Sequence, residues 1–243
     1  MITKLNIFIY GEPGAGKTHL LNSLDSSQHV KKALLLDFDH GADLVITSNK
    51  ITILKINSVY EIEKFCEELN KKDGKFSPFD TIIIDTFTEM ASVSMDEVAA
   101  ASVKIIQRRS DQDRIEQLDY SINGKRMTRL CRALRNCDKN IILTGHAKTV
   151  YPKGANGVVN KDAEPIEYLP RLSGELCTAV LGFMDYVFFI VEKNAKHLLI
   201  NRGVDEIYTK LRGKIKENLK PVIEDPNLGE IIDNIFKIEN EDK

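Results

Sequence analysis

The sequence predicts an α/β fold in which a mostly parallel central sheet is flanked by helices and extended toward the C-terminus by antiparallel strands. Three observations lead there. Short apolar runs at residues 5–10, Ala33–Asp37, Thr81–Asp85 and 140–144 recur with helix-patterned stretches between them, as buried parallel strands joined by crossover helices do. The first run leads directly into Gly11-Glu12-Pro13-Gly14-Ala15-Gly16-Lys17-Thr18, which fits G-x-x-x-x-G-K-[ST], a turn between strand and helix that cradles phosphate. Three further runs, at 185–191, 197–201 and 206–211, follow one another with tight connections, the spacing of antiparallel neighbours.

Composition sets the outer bounds. A chain of 243 residues with 42% hydrophobic content buries one substantial α/β core and has no surplus for a second full domain. Residues 1–225 are expected to form that domain, and 226–243 an appended helix and acidic tail. The net charge of −2 excludes a globally basic nucleic-acid binder but not a local basic patch. No apolar run approaches 18 residues and the N-terminus enters a strand directly, so a soluble, cytoplasmic chain with no membrane association is expected. The four cysteines, Cys66, Cys131, Cys137 and Cys177, form no C-x-x-C pair and fall within apolar segments, which suits reduced core thiols. The five histidines are too scattered for a metal site.

The first strand and its loop define the chemistry. Gly11, Gly14 and Gly16 let backbone N–H groups converge on phosphate oxygens without a Cβ in the way, and a helix over 18–24 adds the positive end of its dipole. Lys17, projecting from an exposed loop, reaches the β- and γ-phosphates, and Thr18 holds Mg²⁺. The loop residues together with His19 form the expected nucleotide-binding set. The strand Ala33–Asp37 then ends in Asp37-Phe38-Asp39-His40-Gly41, at the strand ends where open α/β sheets place ligands, so one carboxylate either faces the γ-phosphate or serves as a turn or cap. A strand over 51–56 precedes Ser58-Val59-Tyr60-Glu61, a capping box that opens a packing helix with Val59, Ile62, Phe65, Cys66 and Leu69 on its apolar face.

Thr81–Asp85 is the second anchor. An apolar strand ending in aspartate supplies the magnesium shell opposite Thr18, against the alternative of a plain strand-end carboxylate. Thr86 follows where many motor ATPases carry a second acid, so the base must come from elsewhere, and Asp39 is the best-placed candidate. Residues 87–138 are helical and increasingly basic, with nine Lys/Arg against four Asp/Glu between Lys104 and Arg135. Met127, Leu130, Cys131 and Leu134 make a buried stripe. Lys125, Arg129 and Arg132 lie on the other faces, and Arg108, Arg109 and Arg114 surround a break at 110–113. These cations form a solvated face or a binding surface. The strand over 140–144 ends in Gly145-His146, placing an imidazole beside the γ-phosphate unless the histidine is structural.

Residues 147–174 lack periodicity and contain Lys148, Lys153, Lys161 and Arg171, so a long loop that grips a ligand is expected. In the last strand, alternation projects Lys210 and Arg212 from one face, where they guard an exposed edge or enter a neighbouring subunit's site. The second role is motivated by the lack of an arginine at the core strand ends to stabilise charge on the γ-phosphoryl group. Pro226 precedes Leu228, Ile231, Ile232, Ile235 and Phe236, the apolar face of a docked terminal helix.

In this order, the glycine loop, Leu36-Asp37-Phe38-Asp39-His40-Gly41, Ile82-Ile83-Ile84-Asp85, Leu143-Thr144-Gly145-His146 and Tyr208-Thr209-Lys210-Leu211-Arg212 resemble the phage-encoded RecA-like P-loop ATPases, described as phage nucleotide-binding or AAA-family proteins and including Sak-type single-strand annealing proteins. The similarity runs from Leu5 to about Ile235. It implies a RecA-like P-loop NTPase core, ATP and Mg²⁺ as cofactors, and DNA-dependent ATP hydrolysis on single-stranded DNA in phage recombination or replication, by a homo-oligomer in the host cytoplasm. In such proteins the acid after the second strand is usually glutamate in an acid-x-E-G-G pattern; here Asp39-His40 stands in its place. Lys17, Asp39, Asp85 and His146, read from the residues themselves, form the expected in-chain catalytic set, and by the resemblance Lys210 and Arg212 look like the K-x-R element that reaches a neighbour's γ-phosphate. The regions 108–114 and 148–161 correspond to those facing DNA. Two other classes share the loop: a P-loop nucleotide or small-molecule kinase, with 108–114 as its lid, and an ATP-switched binding protein of the helicase-loader kind.

Overall fold

The computed structural model describes residues 2–241 apart from 70, 72, 107–110, 112, 155 and 156. Arg108, Arg109, Ser110 and Gln112, part of the expected break and basic region, lie outside the described residues. In chain order the elements are β1 (Asn6–Gly11), α1 (Lys17–Leu20), β2 (Ala33–Asp37), β3 (Ile51–Lys55), α2 (Val59–Leu69), β4 (Thr81–Asp85), α3 (Phe87–Ile105), α4 (Gln117–Asn136) and β5 (Asn140–Val150). They continue with β6 (Glu167–Pro170), α5 (Gly174–Phe183), β7 (Tyr186–Lys193), β8 (Lys196–Ile200), β9 (Lys210–Leu211), α6 (Ile215–Asn218), β10 (Val222–Glu224) and α7 (Leu228–Asn240).

The sheet runs β10-β8-β7-β1-β5-β4-β2-β3, with the six strands from β7 to β3 parallel. Its residues alternate between two apolar layers. Phe8, Tyr10, Leu34, Leu36, Ile82, Ile84, Ile141 and Leu143 face α2 through α5, whereas Ile7, Ile9, Leu35, Ile83 and Ile142 face α1, α6 and α7. Because both faces are covered, β1, β2 and β4 are buried along their whole length, which is why they read as unbroken apolar runs. This is the mostly parallel α/β architecture with an antiparallel extension that the sequence predicts.

Several local expectations change. β7 pairs parallel with β1, so from β7 onward it is β8, β9 and β10 that pair antiparallel with their neighbours. The reason is α5: a helix before β7 makes the connection a crossover instead of a hairpin. The strand expected over 206–211 shrinks to Lys210–Leu211, since Glu206 accepts a hydrogen bond from Tyr168 and Ile207 bridges to it, drawing that segment to β6. Residues 147–174 are irregular only in part, with no helix or strand among the described residues between Val150 and Glu167. β5 continues to Val150, and β6 folds back antiparallel on it, from Ala147 opposite Pro170 to Val150 opposite Glu167. The helix expected over 18–24 is α-helical only to Leu20 and then tightens to a 3-10 turn over Leu21–Ser26. There Ser23 and Ser26 hydroxyls donate to the carbonyls of Leu20 and Ser23, three residues back.

At α2, Ser58 accepts from the Tyr60 N–H at 3.1 Å, but the acid completing the cap is Glu97 of α3, which accepts from Ser58 Oγ and from the Val59 N–H. The terminal helix docks as expected, with Leu228, Ile231, Ile232, Ile235 and Phe236 all buried. It packs on the 3-10 turn that follows α1, where a Cβ on Gly229 would stand 2.5 Å from the Ser23 carbonyl oxygen.

Candidate functional site

The parallel strands end together along one edge of the sheet, and backbone sterics shape the loop there. β1 is squeezed between β5 and β7 so closely that a Cβ on Gly11 would lie 2.2 Å from the Ile190 carbonyl oxygen. Gly14 and Gly16 adopt φ of 80° and 89°, the left-handed region that favours glycine. Glu12, Pro13 and Gly14 are exposed at the tip, and Ala15 is buried beneath it. Lys17 starts α1 and is buried, contrary to the expectation of an exposed loop lysine, because its ammonium folds back to donate to the carbonyls of Gly11 (3.1 Å) and Glu12 (2.8 Å). Burial pulls the Lys17 pKa below its usual value; the carboxylates of Asp85, Asp39 and Glu12 oppose that shift, and Arg171 adds to it.

The Thr18 hydroxyl donates to Asp85 Oδ2 at 2.8 Å, and Thr144 donates to the other carboxylate oxygen. Burial raises the Asp85 pKa despite these two hydrogen bonds, with Asp39 and Asp37 adding to the shift. Asp37 sits opposite Asp85 in the register of β2 and β4; its Oδ2 accepts from the Ala42 N–H at 3.1 Å, while its buried Oδ1 has no partner among the described residues. The Asp85–Thr86 peptide is cis. Thr86 caps α3 by accepting from the Glu89 N–H, and its hydroxyl donates to Asp39 Oδ1 at 3.0 Å. His146 Nε2 stands 3.6 Å from Asp39 Oδ2, a contact longer than a hydrogen bond, and its buried Nδ1 has no partner among the described residues. Partial burial alone would raise the Asp39 carboxyl, but the His146 ring and the Thr86 hydroxyl outweigh it and hold the group below the usual carboxylate range.

Glycines that leave the backbone open, a lysine at a helix start and a hydroxyl facing a carboxylate fit a triphosphate with magnesium, a cation that prefers hard oxygen ligands. Among the described residues no cluster of three or more His, Cys, Asp or Glu could hold a metal by itself. Thr18 and Asp85 would therefore share the ion with phosphate oxygens and water.

The structure thus brings Lys17, Thr18, Asp39, Asp85 and His146 together. Glu12 is tied to β5 through the Thr149 hydroxyl at 3.1 Å. His19 is exposed, with its ring 6.3 Å from that of His197, whose Nδ1 lies 3.2 Å from the Ala15 carbonyl oxygen. Lys210 and Arg212 are not brought to this site. β9 pairs with the beginning of β7, opposite the end that carries the loop, and both cations have in-chain partners. Lys210 donates to the carbonyls of Leu181 (2.9 Å) and Gly182 (3.3 Å) at the end of α5, and Arg212 pairs with Asp185 at 2.6 Å. Lys148, Lys153 and Lys161 are all exposed in the segment from the end of β5 toward β6.

The site also contains Thr144, to which the sequence assigned no role, and Arg171, which the sequence placed only in a ligand-gripping loop. Thr144, which locks Asp85, could have been found from its place one residue past the apolar core of its strand. The position of Arg171 beside the glycine loop could not, because only the return of β6 brings it there. A hollow of about 710 Å³ between α4 and the start of α5, lined by Tyr120, Lys125, Arg129, Arg132 and Ser173, is likewise invisible to local pattern.

A family profile described as an AAA domain matches residues 3–214, from before β1 to the end of β9 and beyond, and so takes in every residue of the site. The chain belongs to the AAA-domain family. Among solved structures, this AAA-domain protein is similar to the RadB recombinase, at 14% identity over 81% of this chain and 79% of that one with a TM-score of 0.42. It is also similar to an ATPase from the type III secretion system of pathogenic bacteria, at 10% identity over 78% of this chain and 53% of that one with a TM-score of 0.43. Comparison with curated proteins returns no match. Among the described residues no helix is long and apolar enough to cross a membrane.

Proposed function

We propose that this AAA-domain protein binds ATP with Mg²⁺ and hydrolyses it in a DNA-dependent manner while acting on single-stranded DNA in phage recombination or replication, in the manner of the Sak-type annealing proteins and in the host cytoplasm. The observation that carries the reading is the hydrogen bond between Thr18 and Asp85 at the mouth of the glycine loop, with Lys17 on one side and Asp39 on the other. Lys17 neutralises the β- and γ-phosphates, Thr18 and Asp85 hold the metal, and bound magnesium withdraws charge from the phosphoryl oxygens. Asp39, kept ionised by its neighbours, orients and deprotonates the attacking water, and His146 sits where it senses the γ-phosphate. Residues 1–225 form the ATPase domain, and 226–243 a helix and tail that brace it.

DNA is contacted by the exposed lysines Lys148, Lys153 and Lys161, on a segment joined to the loop through Thr149 and Glu12, and by the 108–114 region. In the oligomer, Lys210 and Arg212 leave their in-chain partners to reach a neighbour's γ-phosphate. Labelled ATP, incubated with and without a single-stranded oligonucleotide and resolved by thin-layer chromatography, tests the reading. DNA-stimulated phosphate release is expected. Transfer of label to an acceptor would establish the kinase class instead, and tight ATP binding with no turnover in either condition would establish a nucleotide-switched binding protein.

A further inference from the structure

Lys17, the cation assigned to the phosphates, faces the carboxylates of Asp85, Asp39 and Glu12. A triphosphate adds more negative charge than one magnesium ion cancels, and its hydrolysis concentrates charge on the terminal phosphoryl oxygens, so a second cation is chemically required for fast turnover. Lys210 and Arg212 lie at the other end of the sheet from their own chain's loop, so the role proposed for them is at a neighbour's site and the in-chain position stays open. We infer that Arg171 supplies this cation from within the same chain, contacting the terminal phosphoryl group of bound ATP; the inference rests on the ATPase reading above.

Backbone register places the residue. Gly11, the first residue of the loop, pairs with His146 in the ladder between β1 and β5. The His146 carbonyl in turn accepts a hydrogen bond from the Arg171 N–H at 2.8 Å, immediately after Pro170 pairs with Ala147. Gly11, His146 and Arg171 therefore lie side by side, within two strand spacings or about 10 Å.

The direction is fixed as well. The N–H and C=O of one strand residue point to the same side, and the His146 N–H donates to Thr88 Oγ1 at 3.1 Å. Arg171 is thus on the Thr88 side of β5, beyond the end of β4, where Asp85, Thr86 and Asp39 converge. Its side chain lines a hollow of about 280 Å³ with Thr88 and Glu89, and it is exposed. No hydrogen bond or ion pair holds its guanidinium among the described residues, in contrast to Lys210 and Arg212. The charge is close enough to Lys17 to help lower that ammonium's pKa. An unpaired, planar donor fork at this position matches a phosphoryl group's oxygens.

The test measures ATPase rate and separate ATP and ADP affinities for wild type, Arg171→Ala, Arg171→Lys and Arg171→Gln. Turnover is expected to fall 100-fold or more in the Ala and Gln variants, with partial recovery in Lys, while ADP affinity stays within two-fold of wild type. A merely structural role would weaken ATP and ADP binding together, and that result overturns the inference. So does unchanged turnover with unchanged ATP affinity. If wild type binds ATP without turnover, selective loss of ATP over ADP affinity is the readout, and no selectivity refutes the assignment. If wild type binds no ATP, the function proposed above fails first and this inference with it. Mixing Arg171→Ala with Lys17→Ala protein should restore no activity; restoration would place Arg171 in a neighbour's site and overturn the in-chain assignment.

Discussion

Asp85→Asn should make the ligand-free protein more stable and the nucleotide-bound protein less so. The carboxylate is 2% exposed, and its pKa lies above the ordinary value because burial, with Asp39 and Asp37 nearby, disfavours its charge. Relative to an unfolded value near 3.9, the folded state holds the proton more tightly, so this group's contribution is fully present below about pH 4 and is lost as pH rises through the raised folded pKa. At neutral pH each unit of that elevation corresponds to about 1.4 kcal/mol against folding. Asparagine keeps the shape. Its Oδ1 accepts from one threonine hydroxyl, and its amide donates to the other, which can rotate to accept. A gain of about 1 kcal/mol, or a rise in Tm of about 2–4 °C for a chain of this size, is expected without ligand. Wild type with MgATP at a hundred times its Kd should gain about 2.7 kcal/mol, and Asp85→Asn should lose the magnesium-dependent part of that gain. Scanning calorimetry from pH 4 to 8, with and without MgATP, reads both effects. A ligand-free variant that melts below wild type at pH 7, or one that keeps the full MgATP shift, would refute the reasoning.

Other outcomes follow from the same geometry. Asp39→Asn should keep ATP affinity and lose turnover by about 100-fold or more, since it retains the acceptor for Thr86 but no longer takes a proton; normal hydrolysis would place the base elsewhere. Gly11→Ala should cost about 3 kcal/mol, lowering Tm by roughly 6–12 °C, because the new methyl meets the Ile190 carbonyl oxygen between two paired strands; a wild-type melting curve would contradict the close approach. Mixing Lys17→Ala protein, which keeps its other cations but cannot bind ATP, with Arg212→Ala protein should restore ATPase activity if Arg212 serves a neighbour. No recovery in a pair shown to co-assemble would leave Arg212 as the partner of Asp185 alone. Fluorescence anisotropy with a labelled single strand should show weak binding with a steep loss as salt rises, and absence of binding at low salt with ATP would remove DNA from the proposal.

Features encoded over a few consecutive residues were legible without the structure. Strands Ala33–Asp37 and Thr81–Asp85 match to the residue, because full burial on both faces demands unbroken apolar runs and the terminal aspartates mark the strand ends at the site. The glycine loop is legible because its backbone needs particular residues at particular positions, as Gly11 against Ile190 and the left-handed Gly14 and Gly16 illustrate. The apolar face of α7 follows from its 3.6-residue period.

What the sequence could not decide is which segments become neighbours. The parallel entry of β7 beside β1, the return of β6 on β5 and the short β9 depend on pairing between residues far apart in the chain, and apolar runs of similar composition do not specify a partner or a direction. The site inherits that limit. Asp85 could be read from its own strand, but Thr144 reaches it only because β4 and β5 are adjacent, and Arg171 nears the loop only through the fold of β6. Lys210 and Arg212 alternate in sequence as a projecting pair would, yet the tertiary structure supplies the end of α5 and Asp185 as their partners, since a cation near exposed carbonyls or a carboxylate is stabilised by whichever acceptor the fold brings within reach.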